Sequence, residues 1–291
     1  MAETAIDNRS AALRPWIGLW PLILGFLLLA IPTLITLVQQ VWSTEAGAQG
    51  PIVLFTGVWL VWRKIPELTK DAKPGPWWIT TVFMITAIAL YVFGHAYDYV
   101  SIEVAGLYGV VLTFLFAHIG IRPLLRDWFP FLYLAFLIPP PGWVIDTATA
   151  PLKTFVSFAS TSLLQACGLP IIREGVTLFI GQYQMLVEDA CSGMKSLSGL
   201  ISISLFYIYL LRNASWRYSA FLVALVIPIA IIANILRIIT LVLLTYFMGD
   251  AVGQGFLHKT AGLFLFATAL ALVFAIDNGI SAILNKRKAA Q

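Results

Sequence analysis

The sequence predicts an all-α polytopic integral membrane protein. It reads as a helical bundle of about eight spans, with an amphipathic helix on its outer face and a small β-hairpin between spans five and six. Three observations carry that prediction. Of the 291 residues, 60% are hydrophobic and only 11% are charged, against about 25% charged in a soluble domain. The mean hydropathy is +0.89. The apolar residues gather into long runs, with the basic residues in short segments between them. The net charge of +4 thus belongs to membrane-flanking loops rather than to a nucleic-acid-binding face, and no nucleic-acid partner is expected. With no internal repeat or separate soluble domain, residues 1–291 read as a single transmembrane domain.

The first apolar run, Trp16 to Val38, is longer than the roughly 7–15 residues of a signal-peptide core, and no small-residue cleavage pattern follows it. It reads as a permanent first span. Further apolar segments fall at 51–62, 77–94, 104–120, 129–138, 194–211, 219–244 and 261–280. A span takes about 20 residues, so the second and fifth must extend into their flanks or lie partly inside the bundle. The fifth stops at Pro139-Pro140-Pro141, where a helix cannot continue.

Basic residues choose the orientation. With the N-terminus cytoplasmic, the inner segments hold 13 of the 18 lysines and arginines, among them Arg63, Lys64, Lys70, Lys73, Arg122, Arg126, Arg212 and Arg217. The positive-inside rule then puts both termini in the cytoplasm. The largest outer segment is 139–193. Its residues 143–166, "WVIDTATAPLKTFVSFASTSLLQA", carry apolar residues at helical spacing and predict a helix lying on the outer surface. The stretch "IIREGVTLFIGQYQMLVEDA" is β-branched and aromatic with glycines at 175 and 181, which predicts a hairpin.

Three polar groups then fall at one predicted depth. Cys191, in "VEDACSGMKS", precedes the inward-running sixth span, whose helix N-terminus favours a thiolate. Cys191, Lys195, Ser198 and Ser202 follow at i, i+4, i+7 and i+11, a polar stripe on an otherwise apolar helix. In the seventh span Arg237 lies 18 residues after Ser219, about 27 Å along a helix, near the outer side of a core about 30 Å thick. Asn234 shares its face. His258, in "GFLHKTAGLF", precedes the eighth span on the same side. A thiolate, a cation and an imidazole permit acyl transfer: nucleophile, oxyanion stabiliser and proton carrier, in that order. Asn234 would orient Arg237 or add a hydrogen bond.

With these residues the chain resembles the exosortase/archaeosortase family. The matching stretches are "ACSG" at 190–193, "NILR" at 234–237 preceded by Pro228, "HKTAG" at 258–262, and "REGVTL" at 173–178. They cover the C-terminal 120 residues in the family's order; the first half matches only as an apolar bundle. The resemblance implies a cysteine peptidase or transpeptidase of the bacterial inner membrane, with its site facing the periplasm. Its substrates would be exported proteins ending in a short signature such as Pro-Glu-Pro, a transmembrane helix and a basic cluster. Cys191, Arg237 and His258 match the family's catalytic set, with Ser192 beside the cysteine. Lys195 departs from it, standing where many members carry an arginine; the charge is kept and the bidentate geometry lost.

Other readings stand beside these. Cys191 could pair with Cys167, since disulfides persist outside the cytoplasm; otherwise Cys167, in apolar company, reads as a buried thiol. Arg237 could snorkel to the interface, and His258 could be an interfacial or capping residue. Arg173, Lys195 and Lys259 are outer cations that could bind an acidic signature residue. Glu188 and Asp189 could orient His258, or Asp189 could cap the sixth helix. His95 reads as interfacial and His118 as facing the bundle. Two cysteines and three scattered histidines give no metal-ligand spacing, and no cofactor is expected. Membrane lipids are the only other expected partner, and the sequence does not set an oligomeric state. A rival of a different class is a transporter linked to envelope assembly, with Arg237 as its binding charge.

Overall fold

The architecture comes from a computed structural model, which describes residues 20–44, 47–186, 197–211, 216–249 and 251–252, together with helical positions at 271, 275 and 279. Of the described residues most are helical, and a small three-stranded sheet accompanies the helices. The chain divides into two compact units, Met1–Val41 with Ile65–Asp127, and Trp42–Lys64 with Trp128–Gln291.

In the first unit, helix α1 (Trp20–Thr36) runs into a π-helical stretch, Leu37–Trp42. The end of α2 (Gly50–Lys70) follows. Helices α3 (Trp77–Ala96) and α4 (Val100–Ile119) form an antiparallel pair, and the short α5 (Ile121–Arg126) closes the unit. The pair is packed backbone to backbone. A Cβ built on Gly94 would stand 2.6 Å from the Glu103 Cα, and one on Gly106 would stand 2.6 Å from the Tyr91 Cα. Small residues at a crossing let helices in lipid approach closely enough for dispersion to hold them. Helix α1 packs on α4, and the contact is polar at its centre. Glu103, only 2% exposed, accepts a hydrogen bond from the Thr33 hydroxyl at 2.6 Å. The His95 Nδ1 lies 3.5 Å from its other oxygen. Tyr91 donates to the Leu29 carbonyl and stacks on the His95 ring.

In the second unit, the first part of α2 packs on α6 (Phe129–Ala135). Tyr133 is buried there, its hydroxyl 2.9 Å from the Thr56 hydroxyl. Phe129 stacks on Tyr209 of α8 (Leu197–Leu211), with ring centroids 4.1 Å apart. A second core joins α7 (Gly142–Ala166), the sheet and α9 (Trp216–Met248) through Val156, Leu164, Ile171, Leu178, Ile180, Met185, Ile238, Leu241 and Val242.

Four described helices are long and apolar enough to cross a membrane: Trp20–Trp42, Trp77–Ala96, Val100–Ile119 and Ile231–Met248. The count of eight is not reached among the described residues, and the sixth segment's helix, α8, has 15 described residues. The fifth segment forms only the seven-residue α6, about 10 Å of helix, before turns carry it to the three prolines. The second segment is longer than 51–62, because α2 continues through Arg63, Lys64 and Glu67 to Lys70; hydropathy fades at Trp62 while helix geometry does not. The eighth segment lies almost wholly outside the described residues.

The described part of residues 139–193 follows the predicted order with two corrections. Helix α7 matches the 143–166 prediction closely, but apolar side chains lie on both its exposed and its buried faces. Trp143, Phe155, Phe158 and Leu163 point outward, while Lys153, Ser157, Ser160 and Thr161 are buried. The predicted hairpin is a three-stranded antiparallel meander, β1 (Ile171–Glu174), β2 (Thr177–Ile180) and β3 (Tyr183–Leu186). Glu174 pairs with Thr177 and Ile180 with Tyr183, so both turns have two residues. Each turn begins with a glycine at positive φ, Gly175 at 61° and Gly181 at 57°, as two-residue hairpin turns require.

Candidate functional site

The best-described part of the site is on α9. Asn234, Arg237, Ile238, Leu241, Val242 and Thr245 are all buried, and their spacing of three and four residues makes one face. Arg237 is 2% exposed and Asn234 4%. Arg237 lies 21 residues into α9, about 32 Å from its start. Pro228, within the same helix, has no N–H for the Ala224 carbonyl four residues back. An arginine taken out of water on an apolar helix is costly unless it has a function or a partner. Both Asn234 and Arg237 have interactions of their own in this structure, and at 2% exposure the guanidinium does not snorkel to an interface.

The sheet sits at the far end of the same helix. Strand β3 packs on α9, and a Cβ built on Gly249 would lie 3.8 Å from the Tyr183 hydroxyl. The chain leaves β3 at Leu186 and resumes as α8 at Leu197; residues 187–196 join the two. That link contains Glu188, Cys191, Ser192 and Lys195, which lie outside the described residues, as does His258. On α8 itself Ser202, the last member of the predicted polar stripe, is fully buried.

Arg173 takes a position that sequence reasoning did not anticipate. Its Nη1 donates to the Gly175 carbonyl at 2.9 Å, and its guanidinium carbon stands 5.8 Å from the Phe158 ring centroid. It therefore ties the β1–β2 turn to α7. Cys167, following the last turn of α7, is a free and exposed thiol, so it is neither buried nor disulfide-bonded. His118 is exposed, its Nδ1 2.9 Å from the Phe114 carbonyl of its own helix. It does not face the bundle, because the i−4 carbonyl captures the ring. Sequence reasoning also passed over Lys153. It is a buried cation, its side chain 9% exposed, with its Nζ 3.2 Å from Asp146 Oδ1 two helical turns back. The signal was present as a lysine among apolar and hydroxyl residues, but a helix expected to lie on a surface offers no reason to bury it.

A family model described as transmembrane exosortase matches residues 41–275. The chain belongs to the transmembrane exosortase family. No curated protein and no solved structure matches it significantly. The exosortase match includes α2 through α9 and the 187–196 link, so it takes in Cys191, Arg237 and His258 along with the first-half helices, where sequence motifs were silent. Membership makes this exosortase a membrane protein and supports a peptidase-type enzyme acting on proteins that carry sorting signals.

Proposed function

We propose that this exosortase is a cysteine peptidase or transpeptidase that cleaves C-terminal sorting tails of exported proteins at the outer side of the bacterial inner membrane. The observation that carries the reading is the burial of Arg237 and Asn234 on one face of α9, in a chain whose family match also includes "ACSG" and "HKTAG". A buried guanidinium has shed the water that would screen it, so it acts strongly on any charge that develops beside it.

The chemistry assigns one role to each group. The Cys191 thiolate attacks the scissile carbonyl, forming a C–S bond and moving the carbonyl electrons onto oxygen. Arg237 stabilises that oxyanion, and the Asn234 amide N–H adds a second donor. As the tetrahedral centre collapses, the C–N bond breaks and His258 gives its proton to the departing amine. The N-terminal fragment remains as a thioester on Cys191. Water or an amine attacks that thioester; His258 takes the nucleophile's proton, and the thiolate leaves. The tail's apolar helix and basic cluster suit a substrate that arrives sideways from the lipid. Both chain termini lie in the cytoplasm in this reading, and no metal or cofactor is required.

The test is processing of a tail-bearing reporter by full-length protein carrying Cys191→Ala or Cys191→Ser. Loss of cleavage with both, at wild-type protein levels, is expected. Cleavage that survives both substitutions would overturn the reading and leave a transport role for the buried arginine.

A further inference from the structure

Helices α3 and α4 are both long and apolar enough to span the membrane, and α3 begins where α4 ends. The chain at that shared end is held as one piece. The Lys73 N–H donates to the Ile119 carbonyl and the Gly75 N–H to the Phe116 carbonyl, so the link before α3 lies against the last turn of α4. Gly120, at a φ of 79°, passes so close to the Lys73 carbonyl that a Cβ there would overlap it. Arg126, the last residue of α5, then ties α5 to the end of α2. Its Nη2 donates to the Glu67 carbonyl at 2.6 Å, its Nη1 to Asp71 at 2.7 Å and its Nε to Asp127 at 3.1 Å.

That clasp uses both aspartates, and Glu67 has an interaction of its own. Three cations of the same segment are left over. Lys70, Lys73 and Arg122 are exposed, and their side chains have no ion pair or hydrogen bond among the described residues. Around them Trp77, Trp78, Ile121 and Leu125 are each more than half exposed. Lys73 stands four residues before α3 and Arg122 three residues after α4. That is the depth at which hydrocarbon gives way to headgroups, and where tryptophan collects.

We propose that Lys70, Lys73 and Arg122, with Trp77, Ile121 and Leu125, form a headgroup site for an anionic glycerophospholipid of the inner leaflet. An acidic soluble partner or a free phosphate would meet the cations but leave the tryptophan and leucine in water. A zwitterionic lipid would cover the apolar side chains but bring its own ammonium beside three cations. An anionic phospholipid supplies both halves at once. Arg122 offers the phosphate two parallel N–H donors, and the lysines add point charges. The site is more than a general attraction of basic loops to a membrane, because the clasp fixes the backbone that carries these cations. Arg126, equally basic, belongs to the clasp instead. The inference stands whether or not Cys191 is a nucleophile.

The experiment is native mass spectrometry of full-length protein in non-ionic detergent, titrated with phosphatidylglycerol or with phosphatidylcholine of identical chains. The first phosphatidylglycerol should bind about tenfold tighter or more, since one cation near an anionic surface is worth about fivefold. Lys70→Gln, Lys73→Gln and Arg122→Gln together should reduce that preference to about twofold or less, at an unchanged thermal midpoint, because no partner inside the protein is lost. Lys286→Gln, Arg287→Gln and Lys288→Gln remove the same charge near the C-terminus and should leave the preference intact. Lys73→Glu alone keeps the backbone bond to Ile119 and should lower it at least about fivefold, which decides the matter where the triple variant does not fold. Equal binding of the two lipids by the wild type overturns the inference, as does an undiminished preference in the Lys73→Glu or Lys70/Lys73/Arg122 variant. An equal loss in the C-terminal variant would assign the attraction to overall charge and overturn it too. So would displacement of the lipid by excess inorganic phosphate, which would make the site one for a free anion.

Discussion

At the scale of the residue, Arg237 separates the peptidase reading from simple structural burial. Arginine presents a fixed planar fork of donors, and lysine a single compact ammonium. If Arg237 stabilises an oxyanion, Arg237→Lys should keep the helix folded yet lower the rate of reporter cleavage by about 10²–10³-fold, the usual cost of losing a positioned oxyanion donor. Asn234→Ala should lower it less, since it removes a neighbour of the cation rather than the cation. The measurement is single-turnover cleavage by purified protein, alongside its thermal midpoint. A rate within about threefold of wild type for Arg237→Lys would assign the arginine a packing role. This residue was legible in the sequence for a physical reason: an arginine inside a run such as "IPIAIIANILRIITL" is conspicuous against apolar neighbours. Lys153 was not, because "APLKTFVS" has the look of a surface helix, and only the packing of α7 on α9 shows which side faces inward.

At the scale of the element, the helical hairpin α3–α4 depends on two glycines. Gly94 and Gly106 face the backbone of the opposite helix, at Glu103 and Tyr91, rather than flexible side-chain ends. A methyl group there must push the helices apart. Gly94→Ala or Gly106→Ala should therefore destabilise the protein by about 1–3 kcal/mol, the cost of overpacking, and loosen the Thr33–Glu103 contact across the same junction. Gly25→Ala is the control: α1 has nothing within 4 Å of that position, and alanine is the better helix former by about 1 kcal/mol. Thermal midpoints in detergent, with the control level or higher and the other two lower, would confirm the difference. Equal midpoints for all three would refute it. Element existence was readable from hydropathy and spacing for α1, α3, α4, α7 and α9. Lengths were harder to read. Helix α2 runs past its apolar run, and α9 starts three residues before and ends four residues after the predicted 219–244, because backbone hydrogen bonding continues past the most apolar stretch. The third strand followed from two turn glycines, each of which reverses the chain once; counting reversals rather than apolar blocks would have found it.

At the scale of the whole molecule, the proposal requires the α7 end, the sheet and the 187–196 link to lie on the exported side of the membrane. Lysine and arginine placement supports that orientation, with 13 of 18 in the segments assigned to the cytoplasm. Cys167 offers a direct probe, since it is free and exposed at the end of α7. In a Cys191→Ala background it is the sole remaining cysteine, because the chain contains two. A membrane-impermeant maleimide added to intact spheroplasts should then label the protein, and inverted vesicles should remain unlabelled until detergent opens them. Labelling from the inverted side alone would place Arg173, the sheet and the cysteine link in the cytoplasm. Exported tails would be out of reach there, and the thiol chemistry would need a different substrate.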